Sequence, residues 1–438
     1  MVNQHKFPHS FGDTLRKVLS HRVTKNALAL YSIQAVNNVL PWITFPYLTR
    51  TLQPEKWGLI GWSQEFIRYF LVITAFGFDF TATRQISIHR DDAEAVSDIF
   101  SAVMIAKTLL MLASFLLMLA IVEITPSMRP HLALFLITWL TVVANVIFPQ
   151  WLFQGLEKMG VVTVRETAAR LIGLLPTFLL VHSPNDYLIA ASIQSGSGAI
   201  AAIVGLSMVR RYTPARFRFV SWREVVAQYR DGSHVFLSMV AINLYGSSNR
   251  FLLRFLSGDR GVALILVAQR LIEAAKALVI ALSEALFPYI SHTAVTSRSS
   301  AMKLFRRAEQ ILVIPFGILS SGLLILAPLA IALAAGNRYA MAVPLLRIMS
   351  PQPLLLAFGT LYATQFMLGL GYKREWMRII VEGALVNFVL LGCLLPFTDP
   401  PHAVAITSTG VDTWILLRSW LFYRKHRDDH SLSISVPG

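Results

Sequence analysis

The chain alternates apolar blocks of about 20 residues with short polar connections, and each block is long enough to cross a hydrocarbon core roughly 30 Å thick as a helix. Twelve such blocks are read, at roughly 26–48, 57–79, 98–122, 131–153, 159–181, 187–209, 233–256, 262–290, 306–334, 341–370, 376–397 and 402–423. Composition agrees: 14% of residues are charged and 55% hydrophobic, where soluble domains carry roughly a quarter charged residues. The expected fold is therefore all-α integral membrane, with twelve transmembrane helices.

The first block begins near Asn26, after a polar segment, so no cleaved signal peptide is expected. Segment 1–25 places Phe11, Leu15, Val18 and Leu19 on one face beside several cations. It reads equally as an interfacial helix or as a solvated basic tail. Cys393 is the single cysteine, which excludes an intrachain disulfide and a thiolate metal cluster. The formal charge of +15 is scattered between apolar blocks, unlike a nucleic-acid-binding face.

Lysine and arginine divide unevenly between alternate connections. One set, which includes both termini, holds 24, whereas the other holds only Arg50, Lys56, Arg129, Arg260 and Arg338. Positive loops stay in the cytoplasm, so both termini are expected there.

An internal repeat shows when residue n is set against n+204. Arg50 then falls on Arg254, Leu52 on Leu256, Glu55 on Asp259, Lys56 on Arg260, Ile86 on Ile290 and Ser87 on Ser291; one further step matches Gln64 to Gln269. These matches sit at the same places in the helix order. They predict two six-helix lobes, 26–209 and 232–423, inserted the same way up and related by a pseudo-two-fold along the membrane normal. The joint, 210–231, is a basic cytoplasmic connector with a composition suited to a helix on an anionic leaflet, and 424–438 forms a cytoplasmic tail. Binding is expected between the lobes.

Ionisable residues inside the blocks mark where. On the second helix Gln64, Glu65, Arg68 and Asp79 fall within about 100° of arc, and on the eighth Gln269, Arg270, Glu273, Lys276 and Glu284 fall within about 120°. Facing lipid, the four charges of the eighth helix would cost about 10–14 kcal/mol, against about 6 gained from its apolar side chains. Each stripe is either a set of paired packing charges or the wall of a hydrated cavity, and its recurrence in both lobes favours the cavity. Lys107, Arg250, Arg347 and Asn249 are further cavity candidates. Arg254, at a helix end, either snorkels or faces the space between lobes. Cations outnumber anions, and arginine offers a planar fork suited to phosphate oxygens. The expected cargo is a phosphate or carboxylate.

The run from Ser32 to Ser87 resembles the opening of Wzx-type O-antigen flippases, polysaccharide transporters of the multidrug/oligosaccharidyl-lipid/polysaccharide superfamily. Its marks are an Asn-rich first helix (Asn37, Asn38) before Leu40-Pro41, the exit Phe45-Pro46-Tyr47-Leu48, the spacing Leu52-x-Pro54-x-x-x-Gly58, and Gly77-Phe78 followed by Thr83-Arg84. The family usually has Asn where Asp79 stands.

The resemblance implies a two-lobed transporter of the bacterial inner membrane that moves undecaprenyl-pyrophosphate-linked oligosaccharide units from the inner to the outer leaflet. It also implies membrane lipids, a polysaccharide polymerase and a chain-length regulator as partners. Arg68, Lys107, Arg250, Arg254, Arg270, Lys276 and Arg347 become candidates for the cargo's phosphates, with Asn37, Asn38, Gln64, Asn249 and Gln269 as polar cavity groups. Glu65, Asp79, Glu273 and Glu284 are candidates for ion coupling.

Two rivals were weighed. A multidrug antiporter of the same superfamily would favour cationic compounds, against the cationic surplus. A polysaccharide polymerase or ligase would carry its chemistry on a large outward loop, and the outward connections here are short. No GxxxxGK[ST] loop occurs, so nucleotide hydrolysis is not expected, and no cofactor or metal is implied.

Overall fold

The computed structural model describes residues 21–296, 298–368 and 372–426. Most of the expected 1–25 segment and 424–438 tail, and the side chains of Asn37, Asn38 and Glu284, lie outside the described residues. The first half comprises α1 (His21–Ala75), α2 (Phe78–Ile88), α3 (Ala93–Ile124), α4 (Leu132–Ile147), α5 (Gln150–Gly155), α6 (Met159–Leu180) and α7 (Tyr187–Tyr212). The second comprises α8 (Trp222–Thr296), α9 (Arg298–Ile325), α10 (Ala327–Ala334), α11 (Ala342–Met349), α12 (Gln352–Gly359), α13 (Lys373–Leu394) and α14 (Pro400–His426). Helix α12 continues as a π-helix over Thr360–Leu368.

Six of the helical stretches among the described residues are long and apolar enough to cross a membrane, or seven if the 75° bend between α9 and α10 belongs to one span. This is fewer than twelve. Helices such as α6, with Arg165, Glu166 and Arg170 along it, are too charged to qualify on composition alone.

Helices α1 and α8 each contain one break. Gln53 (φ 62°, ψ 166°) interrupts α1, and Gly258 (φ 69°, ψ −175°) interrupts α8, both at the hairpin turns that the repeat aligns. The chemistry differs at the two turns. Gln53 precedes Pro54, whose ring disfavours helical backbone before it, whereas Gly258 enters positive φ because it has no Cβ. Beyond the breaks the two helices meet closely: a Cβ on Gly58 would lie 1.8 Å from the Asp259 carbonyl oxygen, and one on Gly61 would lie 2.0 Å from a Leu266 methyl. Small residues permit such helix approaches in membranes.

Three apolar cores organise the molecule. The largest lies at the hairpin end and takes residues from both halves, including Leu52, Trp62 and Phe135 from the first and Val262, Leu346 and Val404 from the second. At the opposite end lie two smaller cores. One is built around Phe78, Phe100 and Trp151, the other around Phe316, Tyr362 and Tyr423. The first of these also takes Val225 from the start of α8, and Phe76, just past α1, stacks on Phe236 of α8 at 4.4 Å, so the halves meet at this end as well.

The connector is helical over residues 222–231, at the start of α8, and not over the stretch just before it. Residues 213–221 are extended between α7 and α8, because α3 offers hydroxyls to the backbone: Arg216 N donates to Ser97 Oγ (3.1 Å) and Arg218 N to Ser101 Oγ (2.8 Å). The strap is tied to the first half, with Ala215 buried and Phe219 fully exposed.

Candidate functional site

The polar stripes converge where the second arms of α1 and α8 cross. A cavity of about 400 Å³ opens there, walled by α1, α6, α7 and α8, and Gln64, Glu65, Arg68, Arg250, Gln269, Arg270 and Glu273 all line it. A charged side chain on an apolar helix is driven to such a space, since lipid offers it no partner. Among the lining residues are four arginines, Arg68, Arg170, Arg250 and Arg270, and two glutamates, Glu65 and Glu273.

Advanced by 205 positions, the stripe of α1 maps onto that of α8 with charges exchanged: Gln64 onto Gln269, Glu65 onto Arg270, Arg68 onto Glu273. The surroundings differ as well. The Glu65 side chain is 6% exposed. Arg250, reaching over from α8, places Nε 2.9 Å from one Glu65 oxygen and donates from Nη2 to the other at 3.1 Å. Arg68 Nε approaches that second oxygen at 3.4 Å. Gln64 donates to Gln194 Oε1 on α7 at 2.8 Å. Arg270 and Glu273, by contrast, make no hydrogen bond or ion pair among the described residues, and Glu273 is exposed.

A second cavity of about 170 Å³ adjoins the first, sharing Arg250, Gln269 and Glu273 and extending between α8, α11, α12, α13 and α14. The polar groups it does not share with the first are paired within the protein. Lys276 Nζ lies 2.7 Å from Asp412 Oδ2, Asn249 and Asn387 exchange amide hydrogen bonds of 2.8 and 3.1 Å, and Gln352 donates to Ser408 and Thr409, each at 3.0 Å.

Four of the sequence candidates lie elsewhere. Lys107 is buried in the first half with Nζ 3.8 Å from Asp79 Oδ1, and neither residue lines either cavity. Arg347 is exposed near the end of α11, outside both linings. Arg254 sits at the hairpin end, its guanidinium 3.8 Å above the Trp62 ring and its Nη1 donating to Ser127 O at 3.2 Å. That site is one helical turn from Arg250, and helical spacing alone cannot say at which turn the cavity stops. Gln194, Gln352 and Asn387 were missed. The available signal for Gln194 was the small polar run Ser195-Gly196-Ser197-Gly198 beside it, unusual in a spanning helix.

The polysaccharide biosynthesis protein family matches residues 23–294. A protein of Escherichia coli K12 named as an O-antigen transporter is 32% identical over 403 residues, covering 92% of this chain and 97% of that protein. One of the same name from Shigella dysenteriae is 30% identical over 367 residues, covering 83% and 91%. Among solved structures, the lipid II flippase MurJ in an inward closed conformation superposes with a TM-score of 0.71 at 11% identity, over 91% of this chain and 87% of that one. An inward-facing multidrug resistance MATE family transporter of the MOP superfamily gives 0.66 at 13% identity, over 89% and 94%. At those identities the two solved structures show a shared fold. The long, well-covered match to the two transporters shows more: this multi-pass membrane chain belongs to the polysaccharide biosynthesis protein family, with the O-antigen transporters.

Proposed function

We propose that the protein is a flippase, not an enzyme, that carries undecaprenyl-pyrophosphate-linked oligosaccharide units from the inner to the outer leaflet of the bacterial inner membrane, for O-antigen or related surface polysaccharide. In this reading twelve helices form two six-helix lobes about an axis along the membrane normal, both termini face the cytoplasm, and alternating access exposes the central cavity to each side in turn. Units delivered outside would pass to a polymerase and its chain-length regulator.

The observation that carries the reading is the surplus of arginine over glutamate in a cavity between the two halves. Arginine's fixed fork of donors matches phosphate oxygens, and a partly dehydrated cavity strengthens that attraction. The neutral amides and hydroxyls beside it suit sugar, and the prenyl tail would stay in lipid. Coupling to a proton or sodium gradient would draw on Glu65, Asp79, Glu273 or Glu284, of which Glu273 faces the cavity without a partner among the described residues.

The test is reconstitution into vesicles with a fluorescent lipid-pyrophosphate-linked oligosaccharide. Protein-dependent movement between leaflets, inhibited by soluble inorganic pyrophosphate, is expected. Movement of cationic amphiphiles with no movement of the lipid-linked sugar would overturn it, and a rate insensitive to both gradients would remove the coupling.

A further inference from the structure

The hairpin end holds a feature that cargo binding does not use. Arg50, in the first half, donates from Nη2 to the carbonyls of Ala332 (3.1 Å) and Leu333 (2.8 Å) in the second. These are among the last carbonyls of α10, at the negative end of its dipole, and Ala332 O also accepts from the backbone N–H groups of Ala335 and Gly336. Gly336, at φ 90°, leaves room for the arginine: a Cβ there would lie 3.3 Å from the Arg50 stem.

Arg254, 204 positions on, does the reverse. From the second half it donates to Ser127 O in the first and covers the Trp62 ring, while Asp259 of its own half holds Nε. The acceptors correspond too, for Ser127 advanced by the same offset falls within two positions of both Ala332 and Leu333. Each half therefore extends one arginine to backbone carbonyls of the other.

We propose that Arg50 and Arg254 form a reciprocal latch that holds the hairpin end closed and sets how often the cavity opens there. They are positioning residues for the transport cycle and do not contact cargo. The proposal rests on the alternating-access reading, in which the two halves must part at this end. Bonds from a charged donor to backbone carbonyls at the rim suit a contact that is broken and remade, because no buried carboxylate is stranded when either arginine leaves. Thr49 and Tyr339 add a neutral contact at the same place, Tyr339 donating to Thr49 O at 3.2 Å, so one arginine alone does not carry the closure.

The experiment uses the full chain with Cys393→Ser and a single thiol introduced by Thr44→Cys, a position that lines the cavity. Spheroplasts are treated with a membrane-impermeant maleimide, which meets the hairpin end in the orientation proposed above. Arg50→Gln or Arg254→Gln alone should raise the labelling rate about tenfold, the population shift that the loss of one charge-assisted bond produces, and the two together should raise it more. The pair Arg50→Lys and Arg254→Lys, which keeps the charge but replaces the planar fork with a single ammonium, should fall between the parent and the glutamine pair and serves if the glutamine pair does not fold. Labelling equal to the parent in either folded pair would overturn the latch, as would an increase seen only from the cytoplasmic side of inverted vesicles. The assay is run in cells that make no lipid-linked oligosaccharide and reads labelling rather than transport, so an error about the substrate would leave its outcome unchanged.

Discussion

The stripes of α1 and α8 occupy matching positions in the repeat and face one cavity, yet they are built for different work. In α1 the carboxylate Glu65 is sunk behind two arginines, one of them brought from the other half. In α8 the matching position is Arg270, which has no partner among the described residues, and the acid three positions on is exposed. Exchanging the charges between copies thus made one stripe a brace between the halves and left the other open. A duplicated scaffold can place charge at matched depths, and the partners then decide which charges remain available to an anion.

The largest effect should come from breaking the brace. In Glu65→Leu, Arg250, whose side chain is 13% exposed, would lose its counter-charge, and stranding a buried cation costs about 3–5 kcal/mol. The amount of folded protein and its melting temperature in detergent should both fall. Adding Arg250→Met removes the stranded charge and should recover most of the stability without recovering transport. If the double variant is as unstable as the single, Glu65 does more than hold Arg250.

The open stripe should respond the other way. Arg270→Ala breaks no ion pair among the described residues, so stability should change by less than about 1 kcal/mol, while transport of lipid-linked sugar falls about tenfold, the loss of one charged hydrogen bond to cargo. Thermal melting beside the vesicle assay separates the two quantities. Normal transport by Arg270→Ala would make the second stripe a scaffold like the first.

The stripes were legible because the physics is one-sided: Gln64, Glu65, Arg68, Gln269, Arg270 and Glu273 sit in apolar helices at helical spacing, and lipid excludes them. Their pairing was not legible. Glu65 and Arg250 meet across 185 positions, and nothing local to either residue announces the other. Depth was hidden for a related reason. Arg250 and Arg254 share a helix face, yet one lies in the cavity against Glu65 and the other lies at the rim, held by Trp62, Ser127 and Asp259. Lys107 lies away from both cavities because a cation within a span can also be buried against a single acid, as it is by Asp79. The helical class and the two hairpin turns followed from apolar block length and the 204-residue offset, whereas the division into one large and two smaller cores depends on packing between distant helices.

The smallest effect should fall on Arg68, the charge counterpart of Glu273. Its side chain is 51% exposed and it meets Glu65 at 3.4 Å, three positions away on the same helix, a kind of pair worth about 0.2–0.5 kcal/mol. Arg250 continues to hold Glu65 in Arg68→Ala, so melting should barely move. Transport should fall by less than in Arg270→Ala, because the Arg68 charge is already shared with a carboxylate and half open to water. Rising salt should erase the difference between Arg68→Ala and the parent before it erases that for Arg270→Ala, since screening weakens exposed charges first. If Arg68→Ala impairs transport more than Arg270→Ala does, the assignment of brace and open face is inverted, and the cargo's phosphates meet α1 first.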